Sequence, residues 1–510
     1  MPHSENSPAD ARCAGVLLHI TSLPGAYGCG DLGPCARQFA DRLGASGQRY
    51  WQLLPLNPTT AGAGYSPYFS ISSQSGNALL LSIEDLVAEG LLQPSEVSPG
   101  GHHNAGAADF ALAREAKLPL IRIAADRLRE AGTGEAFACF VQTNAHWLED
   151  HALFTALQDR HQAPWYEWPE ALKQREPTAI AEATQTLAEE IEREKVVQFL
   201  FHQQWERLRS HCHEQGVQLF GDIPIYVHYD SADVWANTDI FVLDESLRPT
   251  LESGVPPDYF SADGQLWRNP VYNWERLKET GFAWWKGRLS TQFHRFDLLR
   301  IDHFRGLIQF WAVPAGSANA IHGEWRDVPF YELFDAVREH LGAMSIVAED
   351  LGTITPDVIE ARDHYHIPGM IVLQFAFNDD NHDNPYVPDN HSENAVAYLG
   401  THDNNTARGW LQQELDDRGW ERLARHTKSA HSLRELPAED QVRECIELLL
   451  SSRANTAIVC AQDLLALPKT ARMNTPGLEA GNWDWQLSPE QFEALPMAWL
   501  GERSHAHGRC

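Results

Sequence analysis

Cysteine is sparse in this chain. It occurs 8 times in 510 residues, at 13, 29, 35, 139, 212, 445, 460 and 510, and never as CxxC. That scatter excludes a disulfide framework, offers no zinc site, and leads us to expect reduced thiols in a cytoplasm. Positive charge is scarce too: 40 Lys and Arg face 70 Asp and Glu, a net charge of −30. Such a field repels phosphate backbones, so nucleic acid and anionic membranes are poor partners, whereas a neutral substrate is not hindered. No apolar run approaches the roughly 20 residues of a membrane span. The opening residues, MPHSENSPADARCAG, lack the basic and apolar regions of a signal peptide. Low-complexity segments are missing, and none of the 24 histidines stands in HExxH or another ligand spacing near an acid. The isolated pairs Asp302-His303 and His402-Asp403 are too short a pattern to signal a metal, so neither a metal nor a cofactor is expected.

What the chain has in quantity is tryptophan and short buried-type strands. Its 17 Trp supply flat faces that suit cores and sugar rings alike. Eight apolar runs bounded by turn signals recur at 14–20, 49–56, 217–225, 296–302, 344–351, 369–377, 395–403 and 455–465. Their near-continuous apolarity marks strands buried on both faces, and helical patterns such as VPFYELFDAVREHL lie between several of them. Eight strands alternating with helices predict an α/β fold, a (β/α)8 TIM barrel spanning 1–510. The gaps locate insertions. About 160 residues separate the second run from the third, far beyond one crossover. This predicts a mainly helical inserted subdomain over 80–205. A loop-rich lid is expected over 229–292, above the barrel mouth.

Acids stand at the ends of these runs: Asp222, Asp302 in FDLLRIDHFRG, Glu349 in SIVAEDLG and Asp403 in VAYLGTHDNNT. The last three are spaced 47 and 54 residues apart. One such acid could simply cap the next helix. Four at strand C-termini, where barrel active sites lie, point to one shared site. Arg300 shares a strand face with Asp302, so its guanidinium is expected to lower that carboxyl's pKa and keep it ionised as a nucleophile. Glu349 follows small and apolar residues, and desolvation would raise its pKa and suit a general acid. Its neighbour Asp350 points to the other face and is expected to be structural. Asp403, between His402 and Asn404, is suited to gripping hydroxyls. One anion, one protonated acid and a third hydroxyl-binding acid match retaining glycoside chemistry. A GxGxxG at Gly28, Gly30 and Gly33 is a decoy. TSLPGAYG separates it from the first strand, and no acid follows where a ribose would need one, so a tight loop is expected instead.

The motifs SLPGAYGCGDLG (22–33), WQLLPLNPT (51–59), SPY (66–68), GDIPIYVHYDSADVWAN (221–237), GVPPDYFSADGQLW (254–267), LLRIDHFRG (298–306), VAEDLG (347–352), THDNNT (401–406) and RMNTPG with NW (472–483) span nearly the whole chain. With them the chain resembles the amylomaltases, or 4-α-glucanotransferases, of glycoside hydrolase family 77 in the α-amylase clan. The resemblance implies Asp302 as nucleophile, Glu349 as acid/base and Asp403 as transition-state stabiliser. It implies that Arg300 and Asp222 support the nucleophile. Tyr68, His303 and His402 would line the subsite of the cleaved glucose, Asn474 would also bind substrate, and Trp267 would stack on an acceptor sugar. Malto-oligosaccharides and α-1,4-glucans would be the partners. The loop 254–267 would cover the cleft and exclude water. Three positions depart from the family pattern: Arg268 where Gly is usual before Asn269-Pro270, Ala63 where a Tyr often stands, and Leu478 where Thr is common. A hydrolase of the same clan, a non-catalytic glycan-binding protein and a metal-dependent barrel hydrolase are the rival readings.

Overall fold

The computed structural model describes residues 12–98, 106–257, 262–427, 433–478 and 480–509. Twelve strands occur among them. In chain order they are β1 Cys13–Leu17, β2 Tyr50–Gln52, β3 Gln218–Pro224, β4 Leu251–Val255, β5 Gln265–Pro270 and β6 Leu298–Asp302. They continue with β7 Gln309–Pro314, β8 Glu324–Asp327, β9 Ile346–Ala348, β10 Gly369–Val372, β11 Ala395–Tyr398 and β12 Thr456–Cys460. Eight of these pair in parallel in the order β10-β11-β12-β1-β2-β3-β6-β9. The ends of that row meet where Ala348 N–H donates to Pro368 O at 2.9 Å, so the sheet nearly closes on itself. Each barrel strand falls on one of the eight apolar runs read from the sequence, β1 beginning one residue ahead of its run at Cys13. The runs overshoot because their last residues leave the ladder: 373–377 and 461–464 are helical turns.

Alternation along the strands separates two cores. Tyr50, Phe220, Leu298, Val347, Val396 and Ile458 point inward and fill the barrel floor. Leu219, Leu299, Ile301, Ala348, Ala397 and Val459 point outward and join the larger core under the helices. The helix Pro34–Ala45 shows how that layer forms. Proline fits its first turn, and Ala36, Phe39, Ala40 and Leu43 make one buried stripe. Phe39 meets Trp51 edge-on at 4.9 Å. Gly30 is required by close approach, since a Cβ there would lie 2.1 Å from Ile20 O. The loop around it is therefore tight.

Between β2 and β3 run the helices Phe110–Ala131, Gly134–Thr143, Ala145–His161, Pro177–Thr186 and Ala188–Glu214. The last continues past residue 205 without a break, burying Leu208 and Cys212 as it delivers the chain to β3. The span 229–292 holds more regular structure than the loop-rich segment expected from its Pro and Gly. It carries β4, β5 and the helices Trp274–Glu279 and Ala283–Arg295. With β7 and β8, its two strands form an antiparallel sheet in the order β5-β4-β7-β8. Strands this short and irregular have no period that marks them in sequence. Because β6 passes into β7 through one short turn, this second sheet stands at the C-terminal end of the barrel. Residues 258–261 of the expected covering loop lie outside the described residues. No described helix is long and apolar enough to cross a membrane.

Candidate active site

Two residues above the barrel floor, the inward side chains change from apolar to charged. Leu298 is followed on its face by Arg300 and Asp302, Phe220 by Asp222, and Val347 by Glu349. Register then aligns them. Asp222 pairs with Arg300, Pro224 with Asp302, and Ile301 with Ala348, so Asp302 and Glu349 extend the same two neighbouring strands. In-register neighbours on parallel strands point the same way, which brings these two carboxyl groups together at the mouth.

Arg300 is the hub. Its Nη1 donates to Asp222 Oδ2 at 2.5 Å and its Nη2 to Asp302 Oδ1 at 2.7 Å. The Tyr68 hydroxyl donates to the same Asp222 Oδ2 at 2.7 Å and lies 2.8 Å from His402 Nε2. Since Tyr68 has one proton to give, His402 must carry its own on Nε2. That nitrogen also lies 3.3 Å from Asp403 Oδ2. A continuous chain thus runs from Asp302 through Arg300, Asp222, Tyr68 and His402 to Asp403. Asp403 is not at a strand terminus, because β11 ends at Tyr398. It sits in a following turn, fixed by Asn474 Nδ2 on Oδ1 at 2.6 Å and by Arg472 on its backbone oxygen at 2.5 Å. Asn404 beside it caps that turn, its Oδ1 accepting from Thr401 N–H and Oγ1–H. Asp350 faces outward and ties Met370 N–H and Arg362.

Glu349 is held by backbone alone. Oε2 accepts from His303 N–H at 2.8 Å and Oε1 from Leu351 N–H at 3.0 Å. His303 can offer its N–H there because it takes a left-handed conformation, φ 54°, which is uncommon outside glycine. Trp267 meets the His303 ring edge-on at 4.8 Å.

Burial sets the protonation states. It pushes the Glu349 carboxyl up to about 8, against the pull of Arg300. It also pushes Asp302 up to about 6, Arg300 again pulling down while Asp222 and Asp403 push up. The sequence expectation of a lowered Asp302 is therefore corrected. Desolvation outweighs the guanidinium, and what survives is the order of the two groups. At neutral pH Asp302 is ionised and Glu349 is protonated. Burial also opposes the charge of Arg300, but Asp222 and Asp302 outweigh it. His303 and His402 are both lowered, chiefly by burial, and stay neutral.

Sequence reasoning missed three contributors. Trp483, at φ 71°, lies against Tyr68 and His402 with ring centroids 5.4 and 6.0 Å away. His19 is buried, its Nδ1 has no partner, and it lines one cavity together with Trp483. Arg472 braces Asp403 through the backbone. The NW and RM pairs of the last motif carried the signal for Trp483 and Arg472. Nothing in the sequence around His19 did. No group of three or more metal-ligating side chains occurs among the described residues.

The family model for glycoside hydrolase family 77, described as 4-alpha-glucanotransferase, matches residues 18–491. The chain belongs to the 4-alpha-glucanotransferase family. It is 42% identical over 507 residues to a 4-alpha-glucanotransferase of Synechocystis, covering 98% of each chain. It is 42% identical over 505 residues to that of Thermus thermophilus, covering 98% of this chain and 97% of the relative. The fold superposes on an amylomaltase from Streptococcus agalactiae, solved in complex with acarbose, with TM-score 0.91 at 35% identity over 98% of this chain and 99% of that one. In this chain Asp302 and Glu349 follow adjacent in-register strands at the barrel mouth.

Proposed function

We propose that the protein transfers α-1,4-glucan segments by a retaining double displacement. Asp302 attacks the anomeric carbon of a bound malto-oligosaccharide while the bond to the departing 4-oxygen breaks, and Glu349 gives that oxygen its proton. The product is a glycosyl ester on Asp302. The 4-hydroxyl of a second glucan then attacks the same carbon, Glu349 takes back the proton, and the Asp302 carboxylate leaves. Two inversions retain the α configuration. Asp403, braced by Asn474, grips sugar hydroxyls as the ring flattens toward an oxocarbenium ion. Tyr68, His402, His303 and Trp483 line the same sugar, and Trp267 offers its face to the acceptor. The observation that carries this reading is the adjacency of Asp302 and Glu349 on neighbouring in-register strands, where burial raises the Glu349 carboxyl further than that of Asp302. With all seven described cysteines free, we infer a cytoplasmic site of action.

Maltotriose tests the proposal. Incubation is expected to give glucose and longer oligosaccharides at constant total reducing ends. A steady rise in reducing ends sinks transfer in favour of hydrolysis by the same carboxyl pair. Asp302→Asn is expected to lower the rate roughly 10⁴-fold or more while the thermal transition is kept. Retained activity would show that another group is the nucleophile.

A further inference from the structure

The second sheet grips the segment that follows Asp302 at two places. From one edge strand, β5, Trp267 meets His303 at 4.8 Å. From the other, β8, Trp325 lies under the Arg305 guanidinium, 4.1 Å from the ring centroid. Between these grips the backbone of residues 303 and 304 makes the contacts that hold Glu349. His303 N–H donates to its carboxyl, and Phe304 N–H donates to its carbonyl at 3.0 Å. Arg305 then reaches to the other side of Glu349. Its Nη1 donates to Thr353 O at 2.6 Å and to Thr355 Oγ1 at 3.0 Å. Those residues close the loop whose Leu351 N–H binds Glu349 Oε1.

A guanidinium suits this task. It is planar, so it stacks on indole while donating at its edge, and it cannot lose its charge. This one is 7% exposed. A buried cation at a site with no carboxylate partner among its bonds is costly unless its hydrogen bonds and its stacking are used.

We propose that Arg305 is a positioning residue for Glu349. It locks the 349–355 loop to the segment after β6 and anchors both to Trp325, so that the proton donor is held at the departing oxygen. The proposal rests on the reading of Glu349 as acid/base. The contacts Arg305 makes are with protein groups, Thr353, Thr355 and Trp325. Its removal leaves the Asp302, Arg300 and Asp222 chain intact but frees the acid to drift. A misplacement near 1 Å costs on the order of 10²-fold.

The test separates protonation from everything else. α-Maltosyl fluoride loses fluoride without a proton as the Asp302 ester forms. Azide then attacks the anomeric carbon and releases the Asp302 carboxylate without a base. For Arg305→Ala we expect kcat on maltotriose to fall about 10²-fold with KM within about twofold, and the rate on α-maltosyl fluoride with azide to stay within about threefold of wild type. Equal loss on both donors, or no loss on maltotriose, overturns the proposal. Trp325→Leu and Arg305→Lys, which keep most of the packing, are expected to show the same split at about tenfold, and they decide the matter if Arg305→Ala does not fold. Glu349→Ala is run beside them. If fluoride and azide fail to restore Glu349→Ala, the acid/base reading falls. If they restore Glu349→Ala but not the Arg305 variants, only the positioning role falls.

Discussion

In the barrel, register alone decides where a side chain points, whereas in the small antiparallel sheet it does not. Arg300, Asp302 and Glu349 face inward because Leu298 and Val347, two residues earlier, already do. In the small sheet the ladder breaks between the Glu252–Pro270 and Gly254–Leu266 rungs. There a single residue of β4, Ser253, stands opposite Trp267, Arg268 and Asn269 of β5. Arg268 takes φ 60°. Bulges of this kind re-aim side chains near active sites, and here the re-aimed side chain is Trp267. Asp222, Arg300 and Asp302 thus stand on an unbroken ladder, with Glu349 one residue beyond its neighbouring strand. The aromatic face proposed to meet the acceptor, Trp267, stands on a broken one.

The sharpest way to break this contrast is at Glu349. Glu349→Gln keeps the shape and removes the proton, so transfer is expected to fall roughly 10²- to 10⁴-fold with secondary structure unchanged. In the intact protein, kcat/KM should describe a bell, lost as pH falls through about 6 when Asp302 takes a proton and lost as pH rises through about 8 when Glu349 gives one up. Stability carries the same signature. Folding raises the Glu349 carboxyl from an ordinary 4.5 to about 8, so across that window the folded state holds the proton more tightly than the unfolded chain. Its contribution is complete below about 4.5 and fades as pH rises toward 8. Glutamine has no proton to lose. The difference in melting temperature, variant minus wild type, should therefore move in the variant's favour between pH 5 and pH 9. A difference that stays constant would show that the carboxyl is not raised.

Arg300→Met tests what the unbroken ladder costs. It leaves Asp222 buried with only Tyr68 for a partner, so unfolding in urea should show a loss of about 3–5 kcal/mol along with activity. Leu298→Ala, on the same strand and face but in the floor, should cost about 2–5 kcal/mol through the cavity it leaves, with kcat reduced less than tenfold. If both variants lose activity alike, floor and mouth are not separable and the contrast within the barrel fails.

The two sheets also differ in how far the sequence discloses them. Strands buried on both faces leave near-continuous apolar runs, so all eight barrel strands and the acids after them are legible. The direction of the Asp302 shift is not, because it depends on how much of the carboxyl is desolvated, and spacing does not reveal that. Asp403 reads as a strand end, yet it is a turn residue braced from Asn474, 71 positions away. The strands of the small sheet are four to six residues long and mostly part-exposed, and β5 is interrupted by the positive φ of Arg268, so composition suggests loop where there is ladder. Arg305 lies in the plainest motif of the chain, RIDHFRG. Its partners Trp325, Thr353 and Thr355 are 20, 48 and 50 residues on, and no local pattern links them.

The smallest effect is expected at Arg268, where it tests the broken ladder directly. Its side chain is 58% exposed and pairs with Glu252 at 3.6 Å, a surface pair worth well under about 1 kcal/mol. Its backbone, by contrast, occupies a region that costs a non-glycine residue about 1 kcal/mol. Arg268→Gly should therefore stabilise the protein by up to about 1 kcal/mol and leave the rate with maltotriose as acceptor unchanged, because the bulge and Trp267 stay in place. Arg268→Val places a branched side chain where φ 60° is strongly disfavoured. The bulge should then relax, Trp267 should leave the His303 edge, and the acceptor KM should rise while the rate of glycosyl-ester formation on Asp302 holds. If valine and glycine behave alike, the bulge does not aim Trp267, and the indole is held by its own contacts with Tyr226 and Gln265.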